Sequence, residues 1–359
     1  MVRLLLLFGG QSSEHAVSCT SASVMIPFID RDRFDVMLVG ITKKGEWFLT
    51  EASPEEIASG QWEASSTNQT AFLSPNRGMK GLQVIQDGAL TSRPVDVVFP
   101  VMHGELCEDG AIQGLLELCG IPYVGPNICA SACCMDKTMT KQIVAASRVR
   151  QAQYAVVMAH EMIDQEVSAA IRVEGSLGEY PFFVKPASAG SSVGVSKCHN
   201  REELLSGLRA AALIDHKILI EENIVGREVE VAVLGNSDPK ASVVGEILAA
   251  NDFYDYNAKY ENNASRTIVP ADIPSDSSEK LRRAAVTIYK ALGCEGMSRV
   301  DFFLLPNGDI VFNEINTIPG FTNISMYPKL WEATGIPYVS LLSRLCDLAM
   351  ERGCKMPAQ

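Results

Sequence analysis

The 359-residue chain is short of positive charge: 31 Lys and Arg stand against 43 Asp and Glu, a formal net charge of −12, with no block of basic residues. That argues against nucleic acid or an anionic membrane as partner, and an anionic ligand needs a local cluster of cations. Long apolar runs are also missing. Leu4–Leu7 with Phe8 is too short for the core of a signal peptide, and Gly9-Gly10-Gln11-Ser12-Ser13-Glu14 is no cleavage site. No stretch is long enough to span a bilayer. Ten cysteines are scattered, mostly in apolar contexts such as Leu118-Cys119-Gly120, and the one cluster, Cys129, Cys133 and Cys134, lacks Cys-x-x-Cys pairing. Reduced core thiols in the cytoplasm are expected, with no disulfide or thiolate metal site. No Gly-Lys-Ser/Thr opens a helix, which leaves out a Walker-type phosphate loop. What is present, 47% hydrophobic and 21% charged residues, is the balance of a soluble globular enzyme of two or three domains.

The most informative stretch is Ser298–Asn323. Two apolar runs, Val300–Leu305 and Ile310–Ile315, flank Pro306-Asn307-Gly308-Asp309, and Asn-Gly between such runs predicts a β-hairpin. Asp301 begins one arm. Glu314 and Asn316 end the other, on one face of an extended chain. Pairing of the arms brings Asp301 beside them, next to Arg299. One reading is a polar hairpin end in water. The other is a set of hard oxygen ligands suited to Mg²⁺, favoured because unpaired carboxylates inside apolar strands are costly.

In chain order, Arg3–Phe8 reads as a buried strand, followed by the Gly9-Gly10 turn and a helix through Val24 and Ile29, the opening of an α/β domain. Phe34–Ile41 is a strand. A helix near Pro54–Ser59 and then irregular surface are expected up to residue 92. Val95–Met102 is an apolar strand ending at His103, where α/β sheets bind ligands, although a hydrogen-bonded loop histidine reads equally well. Asp109 is expected to cap a helix that Gly120 stops. Pro122–Gly125 reads as a short strand, and Ala130–Met135 and Asp136–Ser147 as helices. The strand Pro181–Lys185 enters a loop of small residues, either a phosphate cradle or a flexible turn. Asn200 and Glu203 open a helix to Ala212. Lys217–Glu221 is a strand, and in the alternating strand after Gly226, Glu230 reads as solvent-facing. Residues 251–265, aromatic-rich and without periodicity, read as a lid. Helices Glu279–Leu292 and Val339–Arg352 bracket the hairpin.

The hairpin resembles the metal-binding core of the ATP-grasp ligases. The run N-E-I-N-T-I-P-G-F-T-N-I-S-M-Y-P-K-L-W from Asn313 narrows the resemblance to the D-alanine–D-alanine ligases, and it extends from the first strand to the last helix. It implies an α/β (α+β), three-domain ATP-grasp fold: a parallel α/β substrate domain over 1–135, a central subdomain over 136–224, and a catalytic subdomain over 225–359 with its lid near 251–265. It further implies ATP and two Mg²⁺ ions, with Mn²⁺ as a substitute, D-alanine as substrate, a homodimer, and no nucleic-acid or membrane partner. In G-G-Q-S-S-E-H-A-V-S, Glu14 would engage the first substrate's ammonium and Val17 its methyl. Without that resemblance, Glu14 is a helix-start acid. His103 falls in the substrate motif H-G-x-x-G-E-D-G. Lys137, in M-D-K-x-x-x-K, with Lys185, Ser192 and Lys259 would meet phosphate. Glu221, Glu222, Ile224 and Phe303 would surround adenine, and Glu228 would hold ribose. Ser191 and Tyr260 would join Glu14 in a triad. Arg299 and the Gly320 N–H would face the oxyanion, Ser325 and Met326 the second substrate, and Asp301, Glu314 and Asn316 the metal. Two positions depart from the pattern. Ala16 replaces the second Glu of E-H-E-V-S, and Cys107 replaces a Gly, which puts the support and turn of those loops in question. A ligase for another acid and amine, a D-Ala–D-Ser or D-Ala–D-lactate ligase, and a non-catalytic nucleotide sensor are the competing readings.

Overall fold

The computed structural model describes residues 1–79, 81–190, 193–248 and 266–353. The expected lid at 251–265, with Lys259 and Tyr260, and the loop serines Ser191 and Ser192 lie outside the described residues.

Three sheets organise the described chain. The first has the strand order β6-β5-β4-β3-β2-β1-β7. Its centre is β1 (Val2–Gly9), whose Leu4–Phe8 run is buried on both faces, as a central parallel strand requires. β1 pairs in parallel with β2 (Phe34–Ile41) and β7 (Val97–Val101). Helix α1 (His15–Met25) supplies the crossover and ends in a short 3-10 turn, Ile26–Phe28, so the expected single helix to Ile29 is split at Pro27. The sheet then turns antiparallel through β3 (Trp47–Thr50), β4 (Gln69–Leu73), β5 (Leu82–Gln86) and β6 (Ala89–Arg93). The last three replace the irregular surface expected there. Their polar residues hide the alternation: the apolar buried positions are Ala71, Leu73, Leu82 and Val84, and on the other face Gln83 is buried as a hydrogen-bonded amide. The predicted helix α2 (Pro54–Ser59) is present, closed by a Ser53–Glu56 capping box. Pro122–Gly125 contributes one bridge, Val98 to Tyr123, instead of a strand.

Helix α3 (Ala111–Cys119) is capped by Gly110 and stopped by Gly120, both left-handed, and Asp109 instead accepts the N–H groups of Leu106 and Ala111. Helices α4 (Ile128–Met135) and α5 (Lys137–Ala145) follow, the second capped by the Asp136 carboxylate. The second sheet, antiparallel, orders β10-β9-β11-β8 from β8 (Tyr154–Met158), β9 (Phe182–Pro186), β10 (Ser196–Cys198) and β11 (Lys217–Glu222). Helices α6 (Glu161–Asp164), α7 (Glu166–Leu177) and α8 (Arg201–Ala212) belong to the same unit, and α7 and α8 bury an apolar stripe against the sheet.

The third sheet orders β14-β13-β12-β15-β16, with β12 (Arg227–Leu234), β13 (Lys240–Leu248), β14 (Arg266–Ile268), β15 (Met297–Leu304) and β16 (Ile310–Asn316). Helix α9 (Ser275–Ala291) covers one face with Leu281, Ala285 and Ile288, spaced by helical turns. Helices α10 (Met326–Ala333) and α11 (Tyr338–Gly353) pack in the core shared with the first sheet. Among the described residues no helix is long and apolar enough to cross a membrane.

The fully buried Trp62 lies on Gly40 of β2 and meets the Phe8 ring edge-on at 5.0 Å. A methyl added at Gly40 would stand 2.2 Å from the indole. Gly40→Ala should therefore lower stability by about 1–3 kcal/mol through overpacking. A urea unfolding midpoint equal to that of the parent would contradict this packing.

Candidate functional site

A cavity of about 640 Å³ opens where the three sheets meet. Of the residues predicted from the sequence, the described ones (Glu14, Val17, His103, Lys137, Lys185, Glu221, Glu222, Ile224, Glu228, Arg299, Asp301, Phe303, Glu314, Asn316, Gly320, Ser325 and Met326) all line it.

The hairpin pairs as expected, with Asp301 opposite Glu314 and Arg299 opposite Asn316. A register shift between Asp301 and Phe302 inserts Asn313 as a β-bulge. The bulge reverses the face of β16. Phe312 joins Phe302 in the core behind the sheet, while Glu314 and Asn316 turn to the cavity. The Arg299 guanidinium donates from Nε and Nη2 to Asp301 at 2.8 and 2.7 Å, and its Nε lies 3.0 Å from Glu230 Oε2. Burial works against its charge, but Asp301 and Glu230 hold it firmly ionised. Asn316 Nδ2 donates to Asp301 at 3.0 Å. Glu230, expected to face solvent, is 6% exposed. Its cross-strand partner is Asp301, so alternation put it on the cavity face, and the strand's polar face borders a cleft instead of open solvent. Two carboxylates and an amide make a hard oxygen set that fits a divalent cation such as Mg²⁺, with positions left for water and phosphate.

Glu14 is the N-cap of α1 without a side-chain cap bond. Its carboxylate instead packs against backbone: a methyl at Gly104 or Gly190 would come within 2.8 or 2.9 Å of Oε2. Ala16 is exposed, and the loop is held by His15, whose Nδ1 pairs with the Gly10 carbonyl at 2.8 Å and whose Nε2 meets Glu63 at 3.0 Å. In the second loop the turn uses positive φ at Gly104 and Leu106. Cys107 needs none, and it fills space against Gly10.

His103 and Glu108 tie this loop to the hairpin's exit. His103 Nδ1 meets the Ile318 carbonyl at 3.1 Å, and Glu108 accepts from Gly104 N–H at 2.9 Å and Ile318 N–H at 3.2 Å. Burial lowers the His103 pKa and keeps the ring neutral. Burial, with Glu14 nearby, pushes the Glu108 carboxyl up to about 8.

At the other end of the cavity Lys137 Nζ donates to the Ala189 carbonyl at 2.8 Å. Lys185 Nζ lies 2.5 Å from Glu221 Oε2. Glu222 accepts the Gln153 N–H at 2.8 Å, which leaves the backbone after it along the cavity. Phe183 and Lys197 also line this end, unsingled by the sequence, and both Lys185 and Lys197 sit over the Phe183 ring. Near Gly320, Ser325 Oγ accepts the Thr322 N–H at 2.9 Å. Met326 is buried over Gly245. Nine described cysteines are unpaired, six of them buried.

Two family models match the chain, "D-ala D-ala ligase N-terminus" over residues 3–126 and "D-ala D-ala ligase C-terminus" over 143–347. A D-alanine–D-alanine ligase from Clostridium acetobutylicum is 48% identical over 351 residues, 98% of each chain. One from Clostridium novyi is 48% identical over 98% of this chain and 99% of the relative. Among solved structures, the VanG D-Ala:D-Ser ligase from Enterococcus faecalis superposes with a TM-score of 0.88 at 39% identity, over 97% of this chain and 99% of its own. The D-alanine–D-alanine ligase from Coxiella burnetii gives 0.85 at 34% identity, covering 99% and 97%.

The Glu108 environment has a measurable consequence. A carboxyl whose folded pKa is raised keeps a proton that the unfolded chain releases, so stability falls as pH climbs from about 4.5 to about 8. Buried His103 acts in the opposite sense, so the informative quantity is a difference between proteins. Between about pH 5 and pH 8, ligand-free Glu108→Gln should lose at least about 1 kcal/mol less stability than the parent. Equal losses in urea titrations would contradict the assignment.

Proposed function

The chain belongs to the D-alanine–D-alanine ligase family, and from that premise we propose how its cleft works. The reaction is ATP-dependent ligation of two D-alanines to D-alanyl-D-alanine for peptidoglycan precursors, with ADP and phosphate released. The observation that carries the reading is Arg299, a cation buried beside the hard-oxygen hairpin in a cleft whose far end holds Lys137 and Lys185.

Glu14 receives the ammonium of the first D-alanine, Val17 borders its methyl group, and His103 lines the same side. That substrate's carboxylate attacks the terminal phosphate of ATP. Lys137 and Lys185 offset the phosphate charge, Glu221, Glu222, Ile224 and Phe303 border the adenine, and Glu228 meets the ribose. Asp301, Glu314 and Asn316 would hold two Mg²⁺ ions, replaceable by Mn²⁺, which neutralise phosphate charge when bound. The second amine then attacks the acyl phosphate, and Arg299 with the Gly320 N–H stabilises the oxyanion. Glu230 keeps the guanidinium aimed. Ser325 faces the second carboxylate. Ser191, Ser192, Lys259 and Tyr260 complete the site in this proposal. The reading also places domain limits at 1–135, 136–224 and 225–359 and includes a homodimer and a cytoplasmic location.

The VanG likeness favours a second reading, a D-Ala–D-Ser ligase. Met326 supports the D-alanine reading. Its thioether presents an apolar wall, and a serine hydroxyl left unpaired against it costs about 1–3 kcal/mol.

Two outcomes follow. Glu314→Gln should lower turnover by at least roughly a hundredfold, about 3 kcal/mol of barrier, with an unchanged circular dichroism spectrum; near-parental turnover would remove Glu314 from the metal set. In competition at equal concentrations of D-alanine, D-serine and D-lactate as second substrate near neutral pH, D-alanyl-D-alanine should dominate. Excess D-Ala–D-Ser or depsipeptide product would replace the substrate assignment and leave the phosphoryl chemistry standing.

A further inference from the structure

Behind the wall of the nucleotide end lies a lysine that the mechanism above does not use. Lys141 stands one helical turn after Lys137 on α5, yet it is not among the residues that line the cavity, and its side chain is 2% exposed. Its Nζ lies 2.5 Å from Glu221 Oε1, while Lys185 Nζ takes Oε2 from the cavity side, also at 2.5 Å. The Ala152 carbonyl, at 3.5 Å, and the Tyr154 ring, 5.3 Å from the ammonium, complete the surroundings of Lys141. A lysine with so little water is rare, and a carboxylate gripped by two of them at once is rarer. One buried carboxylate between two ammonium groups leaves the cluster with one net positive charge, and only Lys185 can present it to the cavity.

We propose that Lys141 is a positioning residue for the nucleotide's phosphates: by neutralising Glu221 from behind, it leaves the charge of Lys185 available to the polyphosphate. Without it, Glu221 and Lys185 form a closed pair, and this part of the cavity wall loses one positive charge in a chain that is strongly acidic overall. Glu221 sits near one end of β11 and Lys185 in β9, adjacent strands, so the sheet fixes the backbone positions from which the two groups meet. Burial acts against charge on each of them, and it is the mutual attraction that keeps Glu221 ionised, its carboxyl held down at about 2.

The inference rests on the nucleotide reading of this cleft, and the test separates the two. Calorimetry measures the affinities of ATP and of adenosine, which lacks the phosphates, for the full-length parent, Lys141→Met, Lys141→Arg, Glu221→Gln and the Lys141→Met/Glu221→Gln double variant. The ratio of ATP to adenosine affinity should follow the net charge of the cluster. Glu221→Gln should rank highest, the parent, Lys141→Arg and the double variant should agree within about threefold, and Lys141→Met should fall at least about tenfold below them. If Lys141→Met does not fold, the ranking of Glu221→Gln above the double variant carries the same prediction, because the double variant leaves no buried carboxylate without an opposite charge. A ratio that is equal across the folded variants, or a loss that strikes ATP and adenosine alike, overturns the charge-balancing role. A parent protein that binds adenosine no less tightly than ATP overturns the nucleotide reading itself.

Discussion

A guanidinium buried between carboxylates is the interaction on which the cleft depends. Arg299 bonds Asp301 on its own strand, β15, and Glu230 on the neighbouring β12, and Asn316 steadies Asp301 from β16. Each of these ions alone would cost several kcal/mol to remove from water, and removing one partner strands the others. The cluster is therefore poor as a source of stability and strong as a constraint on geometry. It fixes a cation at the cleft wall, beside the positions where the reading above puts both metal and oxyanion. Buried charges are paired in the same way at the far end, where Lys141 and Lys185 share the Glu221 carboxylate. A chain with a net charge of −12 thus meets an anionic nucleotide by concentrating a few cations on rigid strands.

The two proposed substrate positions are joined by side chains that bond backbone. His103 and Glu108, from the loop after β7, both bond Ile318, just beyond the β15–β16 hairpin. The loop carrying Gly104, against which Glu14 packs, is thereby tied to the segment that carries Gly320 and Ser325. Two short polar bridges set the spacing between the proposed first-substrate and second-substrate positions. Their burial makes them intolerant of mispairing.

Much of this was legible in the sequence where one residue pattern had one physical solution. The Asn-Gly hairpin, the Arg3–Phe8 strand and the capping residues Asp136 and Asn200 all stand as read. Strands β4 to β6 were not legible, because few apolar buried positions at an exposed sheet edge leave Gln, Thr and Ser to dominate the pattern. The Asn313 bulge was hidden too. Phe312 and Glu314 share a face in a regular strand, and only pairing with β15 reveals the extra residue that separates core from cleft. Glu230 was misread for a related reason: alternation fixes a face but not whether that face meets water or another charged strand. Lys141 was visible only as the second Lys of M-D-K-x-x-x-K, and helical spacing alone does not tell a solvated lysine from one buried against Glu221.

The central claim is that this cleft transfers the terminal phosphate of ATP to the carboxylate of the first D-alanine before the peptide bond forms. Supplying D-alanine labelled with oxygen-18 in its carboxylate, and reading the released phosphate by mass spectrometry, tests it directly. The account predicts that about one labelled oxygen appears in inorganic phosphate for each dipeptide made, because the acyl phosphate leaves its bridging oxygen behind. Unlabelled phosphate released alongside normal dipeptide formation would contradict it.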